Sequence, residues 1–433
     1  MALTTEAEGS FRMTSKQKMQ VELPQLNPQD ESFAVDAVDA VLRIAVDCGA
    51  SDVHLQPRAD GWEILFRIDG VLSVNGHLPG GGSGDPVSRM MVLAGLPTYR
   101  SGTPMEGRLA WSDQQAGKKY RQAVSMRLGV FPTVHGPRGV VRILRQEGSH
   151  ETISSLGLDD EQQKILGELC EQTSGLVLLS GPAGSGKTTT MYALLREIAA
   201  GRPRRSVMTI EDPVETVVES ISQSELDPVS GLTLASALKS AVRQDSEVLL
   251  VSEIRDPDTA EAAVQSSLTG HLIFSSLHST DVASALRRLT QLGVPHHLVR
   301  SGVRAVINQR LLRKVCRTCS SGSPLRSPEK SDDLESLPLV TSVNSVACAD
   351  CAGTGYRGRL AIAEIVRLDS RDPVGEALAD TLQAGEPVQR MRAAARELGA
   401  VDLHDIAASY VERGVTDAAE VYRVLGNREQ VSN

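Results

Sequence analysis

The chain has 433 residues, 41% of them apolar and 23% charged, which is enough for two or three soluble domains with cores of their own. Its 45 basic residues against 54 acidic ones leave a net charge of -9, and only 3% of residues are aromatic, a balance that argues against nucleic acid as a main partner and against base-stacking platforms. The longest apolar runs, near Val177 and Val248, fall far short of the ~18 residues a membrane span needs, and the polar N-terminus has no secretory core, so the expected compartment is the cytosol.

In chain order, residues 1–30 are polar with little periodicity and read as a mobile tail. A first α+β domain is expected over 31–145. It opens on a helix in which Phe33, Val35, Val38, Val41, Leu42 and Ala45 recur at helical spacing, then continues in strands at Val53-His54-Leu55 and from Trp62 to Ile68 that end in the turn Asp69-Gly70. The run Gly80-Gly81-Gly82-Ser83-Gly84 lacks the Lys-Ser/Thr ending of a phosphate loop and reads as a flexible turn before a helix. The sequence then turns polar, which places a linker at 146–155 and a nucleotide domain over 156–433.

That domain carries the sharpest signal, Gly181-Pro182-Ala183-Gly184-Ser185-Gly186-Lys187-Thr188, followed by Thr189. Upstream, Gly175 to Ser180 is an apolar run suited to a buried parallel strand; downstream, Met191, Leu194, Leu195 and Ile198 have helical spacing. Strand, glycine loop and helix come in the order a phosphate loop requires. The glycines let backbone amides turn inward around phosphate oxygens, the helix N-terminus adds partial positive charge, Lys187 neutralises the β/γ oxygens, and the Thr188 hydroxyl can hold Mg²⁺.

Two apolar segments downstream end in acids: Met208 to Glu215, through Glu211 and Asp212, and Val248 to Asp256, through Glu253. Both read as core strands delivering carboxylates to the carboxyl edge of a sheet, where one acid can orient a magnesium-bound water and another can polarise the attacking water. Taken singly, each is equally well read as a solvated strand end. His271 and His278 bracket the strand-like Leu272 to Ser276. Extended, that stretch spans about 23 Å, too far for one metal to hold both, so a γ-phosphate sensor at one end is the better reading.

Four cysteines form two knuckles, Cys316-Arg317-Thr318-Cys319 and Cys348-Ala349-Asp350-Cys351. Four thiolates fill a tetrahedral shell, which reads as structural zinc in a module at 313–359, with a polar loop from Ser320 to Leu337 absorbing the long spacing. Two disulfides fit a reducing cytosol poorly, and a thioredoxin-like pair explains only one knuckle. Cys48 and Cys170 read as core residues. Helical patterns occupy 373–433.

Several motifs, in order, resemble the ATPases of bacterial type II secretion and type IV pilus assembly. They are Gly-Ala-Ser-Asp-Val-His at 49–54, Arg-Ile-Asp-Gly at 67–70, the phosphate loop, the acidic segments 209–215 and 248–256, Thr-Gly-His-Leu at 269–272, Leu-His-Ser-Thr-Asp at 277–281, Gln-Arg-Leu at 309–311 leading into the cysteines, and Gly-Thr-Gly-Tyr-Arg-Gly-Arg at 353–359. The resemblance covers about nine-tenths of the chain. It implies an α/β fold with a RecA-like ATPase core, a PAS-like N-terminal domain, a homohexamer, and ATP, Mg²⁺ and Zn²⁺ as cofactors. It makes Glu211 the water-activating base, Glu253 the Walker B acid, His271 and His278 the histidine-box residues, Arg243 an arginine near the nucleotide, and Arg108 and Arg127 arginines that close the site. Relatives usually read Asp-Pro-Asp and then Gly-Glu-Ile-Arg-Asp where this chain has Asp245-Ser246-Glu247 and Ser252-Glu253, and Lys239 replaces an arginine.

The extra N-terminal domain by which many secretion ATPases dock is not found in this sequence. The expected function is a cytoplasmic motor ATPase driving pilus or pseudopilus assembly, held at the inner membrane through platform proteins, with no membrane span of its own and no nucleic acid. The zinc module favours extension over retraction motors, and secretion and pilus systems are left open. A P-loop kinase or GTPase, or a non-catalytic nucleotide-binding scaffold, are the alternatives; no guanine-reading Asn-Lys-x-Asp motif supports the GTPase.

Overall fold

The computed structural model describes residues 23–427 apart from 83, 100–101, 112–123, 145–149, 228–229, 321–347, 349, 352 and 370. Most of the expected tail, most of the Ser320–Leu337 loop and part of the expected linker lie outside the described residues. By internal contacts the chain divides into two units. The first gathers Met1–Leu109, Arg127–Arg142 and Val315–Arg357, and the second Ala110–Met126, Ile143–Lys314 and Gly358–Asn433. The cysteine segment, which the linear reading assigns to the nucleotide domain, thus groups with the first unit.

The first sheet is built from β1 (Asp52–Arg58), β2 (Gly61–Ile68), β3 (Val71–Pro79), β4 (Met105–Trp111), β5 (Val124–Thr133) and β6 (Gly136–Leu144), in the order β3-β2-β1-β6-β5-β4. Helix α1 (Phe33–Asp47) follows Ser32, and α2 (Pro86–Leu93) starts on an Asp85 cap with proline in its first turn. The apolar stripe of α1 buries Phe33, Ala37, Val38, Val41, Leu42 and Ala45, and the inward positions Val53, Leu55, Ile64 and Phe66 of β1 and β2 are fully buried. Asp69 and Gly70, at φ 48° and 83°, make the tight turn that the β2–β3 hairpin needs. The two N-terminal motifs meet here: Ser51 donates its backbone amide to the Arg67 carbonyl at 2.8 Å, Arg142 pairs with Asp52 at 3.1 Å, and Arg138 lies 2.8 Å from His54 Nδ1.

In the second unit the chain alternates strand and helix: α3 (Asp160–Cys170), β7 (Gly175–Ser180), α4 (Lys187–Ala200), β8 (Val207–Glu211), β9 (Ser222–Glu225), α5 (Leu234–Ala241), β10 (Val248–Val251), α6 (Pro257–Leu268), β11 (Leu272–Leu277), α7 (Val282–Gln291), α8 (His296–Gly302) and β12 (Val303–Val315). After the short α9 (Arg317–Ser320) come β13 (Tyr356–Arg367) and the helices α10 (Pro373–Gln383), α11 (Val388–Glu397), α12 (Leu403–Glu412) and α13 (Ala418–Leu425). The sheet order is β13-β12-β7-β11-β10-β8-β9, and the pairings from β12 to β9 are parallel. The central strands β7, β10 and β11 are buried on both faces because helices cover both. Leu176 and Leu178 of β7, Leu249 and Val251 of β10 and Ile273 of β11 enter one core with α5–α8, α10 and α11, while Val177, Leu179, Val248, Leu250 and Phe274 enter the opposite core with α3 and α4. This is the RecA-like arrangement that the resemblance implies, followed by a helical C-terminal region.

Candidate active site

Parallel strands in register end together. Leu277 of β11 lies opposite Ser180 of β7, Ser275 opposite Val251 of β10, and Val251 opposite Ile210 of β8. Gly181, His278, Ser252-Glu253 and Glu211 therefore gather at the carboxyl edge. Between Ser180 and α4 runs the phosphate loop, and the N-cap of that helix, Gly186, sits at φ 88° and offers no side-chain cap. Helices α3, α6, α7, α10, α12 and α13 are each capped by an aspartate. The first-turn amides of α4 have no such acceptor and are left for an anion. The Ser185 hydroxyl, inside the loop, is likewise buried with no hydrogen-bond partner among the described residues.

Lys187 is buried, 9% exposed, and its Nζ donates to the carbonyls of Gly181 at 2.8 Å and Pro182 at 3.0 Å. Burial pushes its pKa down to about 8, with Glu253 opposing that shift and Arg310 adding to it. His278 Nδ1 lies 3.1 Å from the same Gly181 carbonyl and can only donate to it, and its Nε2 is 3.7 Å from Glu253 Oε2. Glu253 is also ion-paired with Arg255. Phosphate loop, Glu253 and His278 thus form one polar cluster. Glu211, 2% exposed, accepts hydrogen bonds from the Tyr192 hydroxyl, from Thr209 Oγ1 at 2.6 Å and from Gln223 Nε2 at 3.1 Å. Burial and the Glu211 contact hold the Tyr192 proton on well above the ordinary phenol range.

Within the second unit, His271 and Arg243 are not brought to this edge. His271 precedes β11, at the amino edge, where its Nδ1 is 3.3 Å from the Ser266 carbonyl and its own carbonyl accepts from Gly175. The exposed Arg243 lies in the turn before β10, at that same edge, and Lys239 is exposed on α5. The departures Asp245-Ser246-Glu247 also sit there, with Glu247 bridging to the Ser206 amide at 2.9 Å. Only the departure Ser252 reaches the carboxyl edge; its hydroxyl is buried and unpaired among the described residues. In the first sheet, Arg108 and Arg127 are exposed, and Arg127 is ion-paired with Glu106. Thr188 is half-buried at the start of α4, where its hydroxyl could take part in holding Mg²⁺, and Thr189 is exposed beside it.

In the segment Asn308-Gln309-Arg310 of β12, the sequence reading marked Gln309 and Arg310 only as part of a motif and did not mark Asn308. Ser180 donates to Asn308 Oδ1 at 3.2 Å, Gln309 bonds the phosphate loop, and Arg310, 9% exposed, donates to the Gln309 carbonyl at 2.9 Å and the Thr280 carbonyl at 2.9 Å. Glu364 accepts from Asn308 at 3.3 Å, and burial pushes its carboxyl up to about 7. The connection is long-range, so no local pattern could have revealed it.

The Sγ atoms of Cys316, Cys348 and Cys351 lie within 4.8 Å of one another, with Cys316 and Cys348 separated by 3.9 Å. That separation fits the edge of about 3.8 Å of a tetrahedron with Zn–S bonds of about 2.3 Å. The Gly355 amide donates to Cys351 Sγ at 3.3 Å. Cys319 lies on α9, its side chain outside the described residues. The donor set of these three described cysteines suits a zinc ion. Cys170 is a core residue, its thiol pushed up to about 12 by burial, while Cys48 is half-buried at the end of α1.

A phosphate loop on a parallel sheet, with acids and a histidine at the carboxyl edge, defines a P-loop nucleotide-binding protein. The chain belongs to the type II/IV secretion system protein family, whose profile it matches over residues 27–423. It is 33% identical over 92% of its length to the type IV pilus assembly ATPase TfpB of Acinetobacter baylyi, and spans 67% of that protein. It is 33% identical over 93% of its length to the type II secretion system ATPase E of Vibrio cholerae, covering 78% of it. For the type IV pilus assembly ATPase PilB of Thermus thermophilus the match is 33% over 94% of this chain but only 44% of that protein. In fold it is similar to the ATPase DotB of Legionella pneumophila (TM-score 0.66, 19% identity, 92% of this chain and 96% of that one). It is also similar to the pilus retraction motor PilT with bound ADP (TM-score 0.59, 20% identity, 90% and 97%). No helix among the described residues is long and apolar enough to cross a membrane.

Proposed function

We propose that this protein hydrolyses ATP to drive assembly of a pilus or pseudopilus, as a homohexamer at the inner-membrane platform of a type II secretion or type IV pilus system. The observation that carries the reading is the convergence, at one sheet edge, of an uncapped helix N-terminus, the inward-folded Lys187, Glu253 and His278. On binding ATP, Lys187 exchanges the two loop carbonyls for phosphate oxygens, and the loop amides take the rest of the charge. Thr188 and Glu253 are the residues that would hold Mg²⁺, which would supply positive charge against the triphosphate. Glu211 acts as the base that takes a proton from the attacking water, and His278, which touches both the loop and Glu253, acts as the γ-phosphate sensor. The departures at 245–247 lie a strand length from the loop, and of the departures only Ser252 stands at the carboxyl edge beside Glu253.

Lys187→Ala is expected to abolish hydrolysis. Glu211→Gln is expected to bind ATP and turn it over roughly 100-fold more slowly, as for loss of a general base. Phosphate release and nucleotide binding measured on the same preparations decide this: wild-type turnover in Lys187→Ala would remove the loop from the chemistry.

A further inference from the structure

The phosphate loop is backed as specifically as it is faced. Gln309, on β12 and 1% exposed, lies behind both ends of the loop. A methyl group at Gly181 would sit 2.5 Å from the Gln309 carbonyl oxygen, and one at Gly186 would sit 2.7 Å from its Nε2. Both polar atoms of the side chain are spent on the loop and its helix. Nε2 donates to the Ser185 carbonyl at 2.9 Å, and Oε1 accepts from the Thr190 hydroxyl at 2.9 Å in the first turn of α4. The backbone of Gln309 is itself pinned, since Arg310 Nη1 donates to its carbonyl at 2.9 Å and to Asn308 Oδ1 at 3.0 Å, while Asn308 Oδ1 also takes the Ser180 hydroxyl.

Filling space behind a loop needs no amide; a methionine or leucine would do it without the cost of burying two polar atoms. The amide has a directional consequence. A trans peptide is planar, so its carbonyl and its N–H point in opposite directions. Holding the Ser185 carbonyl toward β12 turns the Gly186 N–H away from β12, to the side where an anion at the α4 N-terminus would lie. We propose that Gln309 is a positioning residue for the nucleotide site, fixing the Gly186 amide in the orientation a bound triphosphate requires. This rests on the ATP-binding reading above, and it adds a residue that touches no substrate yet sets the affinity for phosphate. Preorganisation of this kind acts on binding before chemistry, because the donor no longer has to be turned when the ligand arrives.

The test uses the full chain, a fluorescent ATP analogue and steady-state hydrolysis. Gln309→Met keeps side-chain length and removes the amide; Gln309→Glu places an oxygen where Nε2 donates. Both are expected to raise the analogue Kd and the KM for ATP about 10-fold or more, as for a charge-assisted hydrogen bond lost, with kcat changed less than about threefold and the glutamate the worse of the two. Thr190→Val, which frees only Oε1, guards against a Gln309 variant that does not fold, and is expected to raise KM by about threefold. Wild-type Kd and KM in Gln309→Met, in Gln309→Glu or in Thr190→Val, or a fall in kcat with KM unchanged, overturn the positioning role. Lys187→Ala in the same assay separates the two readings. If it binds the analogue like wild type, the nucleotide site itself is misplaced and the proposal falls with it; if it loses binding while the Gln309 variants do not, only the positioning role is overturned.

Discussion

Lys187 shows how far a residue's chemistry depends on its surroundings. Its identity follows from the motif, but its proton affinity follows from burial against the loop and from charges the motif does not contain, Glu253, Arg310 and Glu215. A group lowered to about 8 keeps its ammonium below that pH and loses it above, whereas bound phosphates favour the charged form. ATP binding must then take up a proton at alkaline pH. The KM for ATP is expected to be flat up to about pH 8 and to rise up to tenfold per unit above it, with proton uptake at pH 8.5 seen by calorimetry in buffers of different ionisation enthalpy. A KM that stays flat to pH 9.5 would mean the lysine is not titrating in this range. Glu211 makes the complementary case: the acid was legible in the sequence, but its donors Tyr192 and Gln223 come from α4 and β9, and only the folded sheet brings them to it.

At the scale of elements, strands and helices were legible where the pattern was strong. The Gly175–Ser180 strand, the α1 stripe, the Asp69-Gly70 hairpin turn and the C-terminal helices stand where periodicity and turn chemistry place them. The two histidines were treated as the ends of one strand, and the structure shows what that means: parallel pairing sends His278 to the phosphate loop and leaves His271 at the opposite edge. The cysteine segment is the element on which a metal prediction falls. Three sulfurs within 4.8 Å of one another predict one zinc per chain, with Cys319 expected to complete a single shell. Cys348→Ser is expected to lose most of that zinc and to lower the thermal midpoint. Metal analysis and thermal unfolding check both, and full occupancy in that variant would show that the sulfurs serve another purpose.

For the whole molecule, the expectation is a ring in which Arg108 and Arg127 complete the nucleotide site, since one lysine and a magnesium ion leave much of the triphosphate charge unbalanced. Arg127 is held by Glu106, but the two side chains are 44% and 62% exposed, and a pair that open to water contributes only about 0–1 kcal/mol. Releasing it is cheap. Arg108→Ala and Arg127→Ala are therefore expected to keep folding and zinc while losing most turnover, Glu106→Gln to leave turnover at or above wild type, and turnover per subunit to rise with protein concentration. Full activity in a strictly monomeric preparation, by light scattering, would remove the ring.

The sequence by itself determined the phosphate loop, its strand and helix, the acid-ended strands, the four cysteines and the family, because each of these is local: a spacing, a run or a turn whose physics lies within a few residues. The tertiary structure decided which of the candidates meet. It set Glu253 and His278 beside Lys187, moved His271, Arg243 and the 245–247 departures to the other edge, and brought Gln309 behind the loop. These outcomes depend on strand order and direction, and strand order is set by the packing of two cores on either face of the sheet, which no short stretch of the chain encodes.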